Sequence, residues 1–278
     1  MIFYNTDRKN IIGVFWTDRD KFEEPFAGVE QAVKKAVGDL TERTLKKKKG
    51  VKDYPKKEDD KVKKLKENEL VTIIQTYFKG KEPSNEQEFD EWHHTACQKV
   101  ENALAQYYDN WAYGKAQKIV NMTLKYVYCL DWAENYRGHF TYCHIPLDSF
   151  TLEWIQRKVF PIVKDEIRGK SPIKGNVDSW SNLKYTKRTK KNEKYAYQDF
   201  VVWVREYFKD EKCEYKGLYP LEAEFYIWKE IQLHMALENL WSQFSNQIKK
   251  EEDLIVKCKM VKSGIENIIQ TIETKEIK

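Results

Sequence analysis

Apolar residues recur along most of the chain at every third or fourth position, while the two-residue alternation of strands is nearly absent. The spacing predicts a helix over 29–45, ending in a run of lysines. Val62, Leu65, Leu70, Ile73, Ile74, Tyr77 and Phe78 mark a second. Phe89, Trp92, Ala96, Val100, Ala103, Leu104 and Tyr107 mark a third, with Ser84 and Asn85 before it as N-cap candidates. Residues 113–130 are apolar almost all round (Ile119, Val120, Met122, Leu124, Val127, Tyr128, Leu130), the pattern of a buried, central helix. An aromatic-rich loop follows over 131–147, where Pro146 stops any helix ahead of it. Further helices fit 149–168, 196–209, 221–248 and 252–273. There is no internal repeat, and the expected fold is all-α.

Composition narrows the class. At roughly 100–200 residues per domain, 278 residues allow one or two domains. The 9 Trp, 17 Tyr and 13 Phe exclude global disorder, because disordered chains lack the bulky residues that offset ordering entropy. No apolar run approaches the ~20 residues that cross a bilayer, so no membrane partner is expected. No secretory signal is visible at the N-terminus, and the five cysteines are widely spaced without a Cys-x-x-Cys pair, which suits a reducing cytoplasm.

The net charge of +5 is unevenly placed. Residues 46–68 carry eleven lysines against five acids, and 184–194 carry six cations against Glu193. Such patches suit a phosphate backbone, or else they are solvated surface. The 184–194 patch is the better candidate, because Tyr185, Tyr195 and Tyr197 are interleaved with it. The 46–68 stretch reads as a flexible basic insertion.

Polar groups interrupt the otherwise core-like 113–130 helix. Lys118, Asn121 and Lys125 fall on one face, and Gln117 lies one turn before Asn121. A lysine on a buried helix is costly unless paired or neutral, and a neutral amine is a nucleophile. The alternative is that Lys115, Lys118 and Lys125 run out to solvent along one edge. Asp148 follows Pro146 directly before a helix, where it is either an N-cap or a carboxylate facing the previous helix. In the helix opened by Pro220, Glu224 and Trp228 sit one turn apart, an acceptor beside an aromatic plane or an ordinary core-edge pair.

Gln117-Lys118 with its apolar helix, Ile145-Pro-Leu-Asp148, and Pro220-Leu-Glu-Ala-Glu-Phe-Tyr-Ile-Trp228, in that order, resemble the archaeal-type 8-oxoguanine DNA glycosylases of the helix-hairpin-helix superfamily. The resemblance covers about a fifth of the chain. It implies a two-lobed all-α fold (about 85–170 as the catalytic lobe, 1–84 plus 171–278 as the second) with double-stranded DNA across the cleft. It implies Lys118 as nucleophile and Asp148 as catalytic aspartate. Met122, Glu224 and Trp228 would line the base pocket, with Gln117 and Asn121 beside them. Gly114 and Lys115 of the hairpin, with Lys187, Arg188, Lys190 and Lys191, would meet the DNA. The family has a glycine-rich hairpin and an Asp where this chain has Gly114 alone and Glu224, which opens the identity of the base.

The implied chemistry is base extrusion, attack of Lys118 on the sugar C1′, and an imine that undergoes β-elimination, in a monomer needing no metal or cofactor. His93, His94, His139, Cys143 and His144 lack metal-ligand spacing. Two alternatives stand beside repair: a defence glycosylase acting on hypermodified phage bases, and a non-enzymatic nucleic-acid-binding helical protein.

Overall fold

The computed structural model describes residues 22, 24–40, 44–163, 179–186, 194–248, 259 and 261–267. Lys187, Arg188, Lys190 and Lys191 lie outside the described residues, as does most of the helix expected over 252–273. Among the described residues the structure is helical and holds no β-strand. One isolated antiparallel bridge, Lys47 to Tyr108, occurs among them. No helix among these residues is long and apolar enough to cross a membrane.

The helices, in chain order, are α1 (Val29–Gly38), α2 (Glu58–Glu67), α3 (Leu70–Lys79), α4 (Glu86–Leu104), α5 (Tyr113–Tyr128), α6 (Ser149–Trp154), α7 (Tyr197–Lys209) and α8 (Pro220–Ile248). The chain divides into two compact units, Met1–Ile227 and Trp228–Lys278. In the second, Leu233, Leu237, Trp241 and Ile265 are exposed apolar side chains.

In the first unit α5 is the central element. Every one of its residues is buried, as its all-round apolar surface predicts. α1 packs along it, α4 crosses it, and a 3-10 turn at Trp180–Asn182 closes over its N-terminus. Asn85 caps α4 as expected, accepting the Glu88 N–H at 3.0 Å.

Three segments differ from expectation. The helix marked by Val62 to Phe78 is two helices, broken at Glu69, whose φ of 65° is left-handed. Asn68 ends α2 by donating its side-chain amide to the Lys64 carbonyl at 3.0 Å. The 46–68 stretch is not a flexible insertion: α2 lies within it, buries Val62 and Leu65, and packs on α1 and α4. The acids Glu58, Asp59 and Asp60 sit in its first turn, and Lys64 and Lys66 in its last, where the helix dipole favours each. Expected as loop, 131–140 instead winds into a 3-10 helix, Asp131–Phe140.

Candidate active site

The three lysines of α5 do not run out to solvent. Lys115 is 2 % exposed, Lys118 6 % and Lys125 1 %. A buried ammonium needs an acid or several carbonyls around it, and each lysine has found such a setting.

Lys118 Nζ donates to Asp148 Oδ2 at 2.7 Å, inside the protein. The other oxygen of Asp148 caps α6, accepting the N–H groups of Phe150 at 2.9 Å and Thr151 at 3.0 Å. The Thr151 hydroxyl takes the Asp148 N–H at 2.8 Å. The two readings of Asp148 are thus one arrangement: Oδ1 ends a helix and Oδ2 faces the amine. Burial pushes the carboxyl upward, but the Lys118 charge and the helix amides outweigh it and hold Asp148 below its ordinary range.

A second ion pair lies one face-repeat along α5. Lys125 Nζ meets Glu224 Oε2 from α8, both side chains almost wholly enclosed. Burial pushes Glu224 up, and Asp148 pushes the same way against the pull of Lys125 and Lys118. Asp39, at the end of α1, joins this cluster by accepting the Tyr126 hydroxyl at 2.7 Å. Its carboxyl is also raised by burial, against the pull of Tyr126, Lys118 and Lys125. α8 is held at its start by Glu222, which accepts from Tyr128 at 2.5 Å and from the Tyr219 N–H at 3.0 Å and pairs with Arg137. Met122 is buried on α5, and Trp228, one turn beyond Glu224, is half-buried.

Gln117 and Asn121 hold the segment that delivers Asp148. Gln117 donates to the Leu147 carbonyl at 2.8 Å and accepts the Leu147 N–H at 3.2 Å. Asn121 donates to Gln117 Oε1 at 2.9 Å and to the Tyr197 hydroxyl at 3.0 Å. The Tyr197 hydroxyl lies 2.7 Å from His144 Nδ1, and His144 Nε2 lies 2.8 Å from Asp90 Oδ1 and 3.1 Å from Arg205 Nη2. Arg205 grips the same carboxylate with two bonds of 2.8 and 2.7 Å. His93 Nε2 faces Asn121 Oδ1 at 2.8 Å. Gln117 and Asn121, expected beside the base, therefore spend their amides on the protein, and the His–Tyr–Asp–Arg network behind them was not anticipated.

Gly114 and Lys115 also sit differently from the expected DNA contact. A Cβ at Gly114 would fall 1.8 Å from the Trp180 carbonyl oxygen, so only glycine lets α5 pass this turn. Its N–H donates to the Leu183 carbonyl at 3.0 Å. Lys115 donates inward, to the carbonyls of Asn110 at 2.7 Å and Ser181 at 2.9 Å. Both are internal, with their hydrogen bonds made to the protein's own backbone.

A cavity of about 140 Å³ lies between the Thr141–Ile145 segment and α7, walled by Leu147, Phe200, Val204 and Phe208 with Glu86 and Arg205 among its polar groups. Lys118, Asp148 and Glu224 do not line it. Compared with family models, curated proteins and solved structures, the chain gives no match.

Proposed function

We propose that the protein is a DNA glycosylase with an associated AP-lyase activity, using Lys118 as nucleophile and Asp148 as its proton acceptor and charge partner. The observation that carries this reading is the buried Lys118–Asp148 contact of 2.7 Å, with the carboxylate fixed from behind by α6. An amine attacks only after it loses a proton, and a carboxylate within hydrogen-bond reach can take it. Of the two buried ion pairs on α5 this is the more accessible, its side chains 7 % and 12 % exposed against 2 % and 1 % for Lys125–Glu224, and an amine must be reached before it can attack.

The C1′–N bond of an extruded nucleotide breaks, and its electron pair leaves with the base. Lys118, an ammonium in the pair, gives one proton to Asp148, which passes it to the departing base, and Nζ bonds to C1′. The second Nζ proton passes to O4′ as the sugar ring opens to a protonated imine, loss of a C2′ proton expels the 3′ phosphate, and water releases the enzyme. Asp148 also stabilises the cationic sugar while the base departs. Glu224 on α8 and Met122 on α5 are the residues proposed to receive the base. Since the Lys118–Asp148 pair is closed upon itself, nucleotide binding must part it.

The test is reductive trapping: incubation with borohydride and duplexes carrying an abasic site, 8-oxoguanine or a hypermodified cytosine. The expected result is a covalent adduct with the wild type and none with Lys118→Gln. An adduct surviving that substitution, or no adduct on any of these duplexes, overturns the reading. Excision confined to the hypermodified duplex would assign the protein to defence rather than repair.

A further inference from the structure

We propose that the lysine-bearing loop 46–57 is a docking surface for a nucleic-acid backbone. It holds Lys46, Lys47, Lys48, Lys49, Lys52, Lys56 and Lys57 against the single acid Asp53, a net of +6 in twelve residues. All seven lysines are exposed. Of the acids that follow, Asp59 pairs with Lys34 at 2.6 Å, and Asp60 accepts the backbone N–H of Lys57 at 3.1 Å, fixing the end of the loop.

The bland explanation of a lysine run is a solvated tail that spreads its charges apart. This backbone is not free to do so. The Lys48 N–H donates to the Tyr107 carbonyl at 3.0 Å, and the Asp109 N–H donates to the Lys46 carbonyl at 2.8 Å. Leu45 and Pro55 are buried at either end, and Tyr54 packs edge-on against Tyr108 at 5.4 Å between ring centres. Gly50 and Asp53, with φ of 77° and 55°, fold the loop back on itself. The fold therefore holds like charges side by side at a cost in self-repulsion, which a polyanion would offset.

The charges suit a phosphate backbone. Alternate side chains of extended backbone share a face. Lys46 and Lys48 therefore lie on one side of the bridged segment and Lys47 on the other. Lys47 Nζ stands 5.0 Å over the Tyr54 ring, an aromatic among cations. Lysines without arginine supply point charges rather than forked base readout, so the contact is sequence-independent. A lipid surface would call for exposed apolar side chains beside the cations, and Val51 and Tyr54 are only half exposed. The segment that pins the loop, Tyr107–Asp109, lies three residues ahead of α5. The inference does not depend on lysine chemistry at position 118.

The experiment measures binding of the full chain to an undamaged, fluorescein-labelled duplex by anisotropy across a salt series. Each lost phosphate contact lowers the slope of log affinity against log salt by about 0.9. The K46Q/K48Q/K49Q variant is expected to show a slope smaller by about 2.7 and affinity at least about tenfold weaker at low salt. K81Q/K212Q/K216Q, which removes the same charge from exposed lysines elsewhere, should stay near wild type. The proposal is overturned by absence of duplex binding in the wild type, by an unchanged slope in the loop variant, or by equal losses in both variants. It is also overturned if the loop variant loses binding to phosphatidylserine vesicles but not to duplex. Borohydride trapping of the loop variant at saturating protein reads the excision chemistry separately, so either idea can fail alone.

Discussion

Lys125 and Glu224 pose a sharper energetic question than any other pair in the first unit, because both are almost fully enclosed. Deleting one member of a buried ion pair typically costs about 3–5 kcal/mol, whereas replacing both by apolar groups is often neutral. The raised carboxyl of Glu224 adds a direction. Without Lys125, its main counterweight is gone and the glutamate accepts a proton more readily still. Lys125→Met should therefore be strongly destabilising at pH 8, where the stranded carboxylate is charged, and much milder at pH 5, where it is protonated. Lys125→Met/Glu224→Leu should recover most of the loss at pH 8. Urea unfolding of the four proteins of this cycle at both pH values checks it; a Lys125→Met deficit that does not grow with pH would contradict the assignment. The sequence reveals the lysines, since their spacing on one helix face is local. Asp148 is legible too, as a carboxylate facing that helix, but no spacing rule brings Asp39 to α5 or pairs Lys125 with Glu224.

Element boundaries were legible where a helix is apolar all round or carries a recognised cap, as at α5 and at Asn85. They were hidden where charge masks a narrow stripe. Val62 and Leu65 read as helical, but α2 buries little beside them, so the lysines ahead of them read as a loop. The break at Glu69 depends on a left-handed residue that composition does not mark. Gly114 had a visible signal, a lone glycine at the mouth of a helix, but its partner, the Trp180 carbonyl, comes from a distant segment. That contact makes a prediction at the same scale. Gly114→Ala drives a methyl into backbone and must push α5 from the Trp180–Asn182 turn, with a loss of about 1–3 kcal/mol or more. Gly138→Ala meets only the carboxylate end of Glu82, which can swing away. Thermal melts should separate the two variants clearly; equal stability would mean that the turn yields and that glycine is not needed there. In the trapping assay Gly114→Ala should also fall, because α5 carries Lys118.

Across the molecule, buried titratable groups make stability depend on pH in opposing ways. Burial pushes His93 and His144 below their ordinary value of 6.5, with Asp90 and Glu86 pulling His144 partly back up and Arg205 pushing it further down. Below about pH 6.5 the unfolded chain takes up these protons first, so stability falls as the solution is acidified, by up to about 1.4 kcal/mol per pH unit for each histidine. Asp148 and Asp90 are held low, and their contribution, present at neutral pH, is lost only as the pH falls through their depressed folded values. Glu224 and Asp39 act in the opposite sense: raised in the fold, they favour it most below their unfolded values, and that contribution fades as pH rises through the folded ones. The histidine share can be isolated. His144→Gln keeps a polar group against Asp90 and Tyr197 but cannot take a proton, so its stability should vary less steeply between pH 6.5 and 5 than that of the wild type, by up to about 1.4 kcal/mol per pH unit. Denaturant midpoints measured across that interval decide it. Parallel curves would mean that His144 keeps its proton on unfolding and folding alike, and that the Tyr197–His144–Asp90 chain is not held neutral by burial.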